Sequence, residues 1–203
     1  MVTKLTCVCL ASLMIVLLAP LRDALAETNE NEQRLLDKRR NFPANSFAVM
    51  ETQLFEGDSK SPKICRTMDV TLMSNQGRST SFLTQDLYLF DRANNKFGGG
   101  ALLPPGTYTV VQLTCDSHRY RGSFARFTLQ AAQSLNLGCL IVEYRTSGFT
   151  KFLYPTYSGR SQVMDLSPDA VASLAKRVPV LFAGVVKRYM TPIMTSSNPR
   201  ATQ

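Results

Sequence analysis

Between Ser46 and Pro155 the chain is written as short apolar runs separated by turn clusters, with no amphipathic helix pattern between them. Phe47–Phe55 is closed by Gly57-Asp58-Ser59, and Thr67–Met73 by Ser74-Asn75-Gln76-Gly77. Phe82–Phe90, Gly106–Cys115, Phe124–Gln130, Leu135–Arg145 and Phe149–Pro155 follow. Seven such runs without intervening helices predict a mainly β fold, an antiparallel β-sandwich of about seven strands. Phe124–Gln130 and Leu135–Arg145 are expected to pair across a short Ala-Gln-Ser turn. Leu135-Asn136-Leu137-Gly138-Cys139-Leu140-Ile141-Val142 starts alternating and becomes continuously apolar, as a strand covered on both faces does. Something must therefore cover the second face.

The C-terminal third offers that cover, as one or two helices over residues 161–194. Ser167-Pro168-Asp169 is a helix start: a capping hydroxyl, a proline suited to the first turn, and an acid at the positive helix end. The run to Lys176-Arg177 ends on cations, as the helix dipole prefers, and Pro179 breaks or restarts it. Beyond it, apolar residues at 181, 182, 185, 186 and 189 have helical spacing, with a strand as the other reading of this valine-rich run. Residues 27–45 are polar and read as a flexible arm, or else a short helix docked through Leu35 and Leu36. Residues 195–203 read as a disordered tail, and 46–160 as the sandwich itself.

The first 26 residues have the form of a secretory signal peptide. Lys4 precedes an uncharged run from Leu5 to Ala19, and Ala24-Leu25-Ala26 presents small residues ahead of a cut after Ala26. The apolar run is shorter than the ~20 residues that span a bilayer, so no transmembrane span is expected after cleavage. The expected location is the periplasm or the medium. About +7 remains on the mature chain, from 21 basic and 14 acidic residues. Outside the cytoplasm that balance favours an anionic envelope polymer or an envelope protein as partner, and not nucleic acid.

Three cysteines follow the leader, so one internal disulfide and one free thiol are expected, with three possible pairings. Cys65, just before one strand, and Cys115, ending another, are the favoured pair. Cys139 lies in an apolar strand that suits a small buried thiol.

Pro104-Pro105-Gly106-Thr107-Tyr108 sets a turn into a strand, proline fixing φ and glycine accepting a positive one. With Phe127-Thr128-Leu129 leading into a further core strand, residues 82–145 resemble the transthyretin-like and carboxypeptidase-regulatory-like β-sandwich modules of exported bacterial proteins. The resemblance implies a sandwich with a binding or structural role and carries over no catalytic residues.

No catalytic, metal or cofactor site is expected. His118, the only histidine, sits between Ser117 and Arg119 and reads as an exposed loop residue. Asp91–Asn95 and Gly98-Gly99-Gly100 lack the ligands of a calcium loop and the Gly-Lys-Ser/Thr of a phosphate loop, and read as a flexible hairpin or linker. Arg119, Arg121, Arg126, Arg145, Lys151 and Arg160 could form an anion-binding patch. Tyr120, Tyr144, Tyr154 and Tyr157 could interleave with them. The expected function is an exported envelope protein acting as a non-catalytic binding or scaffolding module. Two alternatives stand beside it: an envelope hydrolase using Asp86, Asp91 or Asp116, and a secreted effector whose basic arm, with Lys38-Arg39-Arg40, is an interaction tail.

Overall fold

The first strand, β1 (Ser46–Glu56), is buried on both faces over its first nine residues, which places it at the centre of the molecule. The computed structural model describes residues 30–91, 94–147, 156–193 and 195–197. After β1 come β2 (Met68–Ser74), β3 (Ser79–Ser81), β4 (Leu87–Asp91), β5 (Lys96–Leu103), β6 (Gly106–Cys115), β7 (His118–Leu129), β8 (Ser134–Ser147) and β9 (Thr156–Met164). The helices α2 (Pro168–Arg177) and α3 (Pro179–Ala183) follow, then the short β10 (Val186–Lys187), β11 (Thr191–Pro192) and β12 (Thr195–Ser197). A further helix, α1, spans residues 30–41.

The strands form two sheets. The larger runs β12-β9-β8-β1-β5-β4, with β10 also on β8, and the smaller runs β11-β7-β6-β2-β3. The sandwich is therefore as expected, but the described strands number twelve, not seven. Four of the twelve are only two or three residues long, too short for any period to show in sequence. The larger sheet is also not purely antiparallel: β1 and β8 pair parallel, as do β10 and β8. The expected β7–β8 pair does not form. β7 pairs with β6, and β8 lies in the other sheet between β1 and β9, so the 130–133 turn carries the chain between layers. Likewise Phe82–Phe90 is not one strand. Phe82 and Leu83 are fully buried in the crossing from β3 to β4.

Two cores result. Between the sheets, Ala48, Met50 and Leu54 of β1 pack with residues such as Val110, Phe124 and Leu140. On the far side of the larger sheet, Phe47 and Val49 of the same strand pack with Leu35, Leu174, Val178 and Leu181. Alternate residues of β1 thus serve two cores, and the helices form a third layer. The arm expected at 27–45 is, over 30–41, a docked helix: Leu35 is 1% exposed and Lys38 pairs with Asp86 at 2.6 Å.

The expected glycine linker is instead β5, a strand buried from Phe97 onward and paired on both sides. Its glycines are there for clearance. A Cβ at Gly99 would lie 2.5 Å from the Leu87 carbonyl oxygen, and one at Gly100 2.9 Å from the Phe47 ring.

Ser167 caps α2 as expected, accepting from Ala170 N at 3.2 Å. The apolar stripe beyond Pro179 is helical only to Ala183; after Gly184 the chain is extended. The tail expected to be disordered begins with β12, paired to β9. The leader 1–26, Phe149–Pro155 and Lys151 lie outside the described residues, and among those described no helix is long and apolar enough to cross a membrane.

Candidate functional site

Three of the expected arginines share one strand. In β7 Tyr120 is buried while its neighbours Arg119 and Arg121 are exposed, so both arginines point away from the core. Arg126 is five residues beyond Arg121 and would face the other way in a regular strand. It does not, because the β6–β7 register shifts between Val110 and Gln112. Phe124 and Ala125, consecutive and both buried, mark the irregularity. The register thus sets Arg119 opposite Thr114, Arg121 opposite Gln112 and Arg126 opposite Thr109. The row is about 20 Å long at strand rise.

Around the row the outer face of the smaller sheet is lined by short polar groups. Arg121 Nε donates to Gln112 Oε1 at 3.2 Å, and the hydroxyls of Thr107 and Thr128 meet at 3.0 Å. Thr191 of β11 stands beside Arg126. Among the described residues of this sheet's five strands the one carboxylate is Asp69 of β2, which takes the Ser81 hydroxyl. The surface is hydroxylated and basic.

The other members of the expected patch are elsewhere. Tyr144 of β8 faces the inter-sheet core, so Glu143 and Arg145 face out from the larger sheet, and Arg160 lies opposite Glu143. Arg145 pairs with Asp58 at 3.0 Å. The sandwich thus separates Arg119, Arg121 and Arg126 from Arg145 and Arg160. Tyr120 and Tyr144 do not interleave with either set. Tyr120 and Tyr144 are both buried and meet edge to face at 5.0 Å between the sheets. Tyr154 and the side chain of Tyr157 lie outside the described residues. Burial raises the pKa of Tyr120, whose hydroxyl donates to Glu56.

The candidate carboxylates are occupied in holding the fold. Asp86 takes both Lys38 and the Leu102 amide, tying α1 to the larger sheet. Asp116, at φ 53°, accepts from the Arg66 and Thr67 amides, each at 2.9 Å. These bonds hold its carboxyl below the usual range, the Thr67 amide contributing most. Asp91 accepts from the Asn94 side chain at 2.7 Å. The basic run of the arm is also engaged: Arg39 donates to the Ala132 carbonyl at 2.8 Å and Arg40 pairs with Asp37 at 3.0 Å.

Cys65 and Cys115 form a disulfide, and Cys139 is free and buried. Burial, with Glu51 nearby, pushes the Cys139 thiol up to about 12. His118 is exposed at the β6–β7 hairpin.

Two buried acids escaped the sequence reading. Glu51 accepts from Ser167 N and Ser167 Oγ at 2.5 and 2.7 Å, joining β1 to the start of α2. Glu32 of α1 accepts from Leu181 N at 2.9 Å in α3. An acid directly after the apolar Phe47–Met50 run of β1 was the visible signal for the first.

No family model and no curated protein matches the chain. Among solved structures it is similar to a candidate cell adhesion protein from Bacteroides fragilis NCTC 9343, at 10% identity and a TM-score of 0.31. The match covers 61% of this chain and 46% of that one, less than half the length of its neighbour.

Proposed function

We propose that the chain is an exported, non-catalytic binding module of the bacterial envelope that holds an anionic polymer against the outer face of its smaller sheet. The observation that carries this reading is the single row of Arg119, Arg121 and Arg126 among threonines on one face. Guanidinium groups give charge-assisted, bidentate bonds to carboxylate, sulfate or phosphate, and the hydroxyls suit the neutral oxygens of such a polymer. With Tyr120 and Tyr144 turned inward, recognition on this face would read charge and not the face of a sugar ring. The leader-like first 26 residues and the Cys65–Cys115 disulfide support an oxidising, extracytoplasmic location.

The test is retention on immobilised polygalacturonate across a salt gradient. Replacing Arg119, Arg121 and Arg126 together by Gln is expected to weaken binding by about tenfold or more at low ionic strength. Replacing Arg145 and Arg160 should leave retention nearly unchanged. Equal loss from the two sets would mean that net charge, and not this face, governs binding.

A further inference from the structure

We propose that the groove where α1, α3 and β10 converge is a binding site for a small phosphate monoester. Its volume is about 470 Å³, within the range of small-molecule sites. The two leucines that line it turn their side chains away, Leu135 into the inter-sheet core and Leu181 into the helix-side core. Val180 and Val186 stand exposed at its walls. The charged and hydroxyl groups of the lining are all hydrogen-bond donors: Arg39 of α1, Ser134 at the start of β8 and Arg188 just after β10, with no carboxylate among them.

Arg39 is already set in place. It donates to the Ala132 carbonyl at 2.8 Å and to Ser134 Oγ at 3.4 Å, and a guanidinium with five N–H donors has more to offer. Ser134 is 8% exposed and accepts in that bond, so its own O–H is left to donate. Pairing of β10 with β8 sets Val186 opposite Leu135 and Lys187 opposite Asn136, and the Arg188 amide donates to the Asn136 carbonyl at 2.9 Å. Arg188 is thereby fixed beside the same stretch of β8. Among the described residues no carboxylate pairs with its guanidinium or with that of Arg39. Two cations that meet no acid match two charges on one small group. A phosphate monoester carries about −1.5 to −2 near neutral pH and three acceptor oxygens. A carboxylate is planar, singly charged and satisfied by one guanidinium fork, whereas donors arriving from three parts of the chain suit a tetrahedral anion. The site is independent of the arginine row on β7, which belongs to the other sheet.

The test is a chemical-shift titration of the full chain with methyl phosphate at fixed ionic strength, beside dimethyl phosphate, which is also tetrahedral but carries one charge. Methyl phosphate should saturate one site, move the amides of Ser134 and Arg188, and bind about tenfold or more tighter than the diester. Arg188→Gln removes an exposed guanidinium and should weaken methyl phosphate about tenfold with the melting temperature unchanged. Ser134→Ala removes the hydroxyl donor and should weaken it about fivefold. Arg160→Gln removes the same charge opposite Glu143, roughly 30 Å along β8 from Ser134 at strand rise, and should leave binding unchanged. Equal binding of the two esters, equal loss from Arg160→Gln and Arg188→Gln, methyl phosphate that does not saturate, or capture by phosphatidic acid vesicles alone would overturn the assignment.

Discussion

At the scale of single residues, Asp116 shows how a motif that suggests chemistry can be a fastener. Cys115-Asp116-Ser117-His118 sets a thiol, an acid, a hydroxyl and an imidazole side by side, yet the structure uses the first in a disulfide and the second to close a turn onto Arg66 and Thr67. The carboxylate's pKa is depressed in the folded chain from 3.8. A depressed acid contributes stability that is fully present above its unfolded pKa and is lost as pH falls through its folded one. Asp116→Asn keeps an acceptor oxygen but cannot carry the charge. The wild type is therefore expected to be the more stable of the two near neutral pH. The gap should narrow once pH drops below 3.8 and close below the folded value. Urea unfolding of both proteins across that range checks it; a gap that does not change with pH would assign the effect to geometry and not to charge.

Among elements, α1 is the sharpest test of the architecture, because a polar, charged segment becomes a structural layer through few contacts. Leu35 enters the helix-side core, Lys38 reaches Asp86, and Glu32 serves the Leu181 amide. Leu35→Ala should cost about 2–5 kcal/mol, or roughly 4–20 °C in melting temperature for a chain of this size. A free arm would show no change in thermal unfolding. What sequence revealed of the elements follows the range of the forces involved. The edges of β6 and the cap of α2 are set by neighbours in the chain, Pro104-Pro105-Gly106 and Ser167-Pro168, and were legible. The parallel pairing of β1 with β8 leaves no local trace. Gly98-Gly99-Gly100 resembles a linker until the Leu87 carbonyl and the Phe47 ring are brought against it. The arginine row was half legible for the same reason: Arg126 joins Arg119 only through a register shift that no alternation pattern announces.

In the whole molecule, the two sheets are tied at one side by a strap that sequence patterns did not suggest. After α3 the chain pairs with β8 in the larger sheet, crosses to β7 in the smaller one, and returns to β9. Met190, 3% exposed, is its anchor in the inter-sheet core. Ser161 Oγ of β9 lies 2.5 Å from the Phe124 carbonyl and 2.9 Å from that of Ile193, so its one hydrogen can serve either side of the seam. Individually these strands are too short to persist, and their pairing depends on the sheets they join. The sheets in turn depend on the strap, because without it β7 and β9 would each present an edge, and an unpaired edge invites other chains. A chain ending at Val185 should therefore lose the Met190 burial, worth about 2 kcal/mol, and also form concentration-dependent oligomers. Met190→Ala keeps the strap and should lower stability while leaving the protein in the same oligomeric state as the wild type. Light scattering coupled to size exclusion separates the two effects. A truncated chain that keeps the wild-type mass and melting temperature would show that the sandwich closes without the strap.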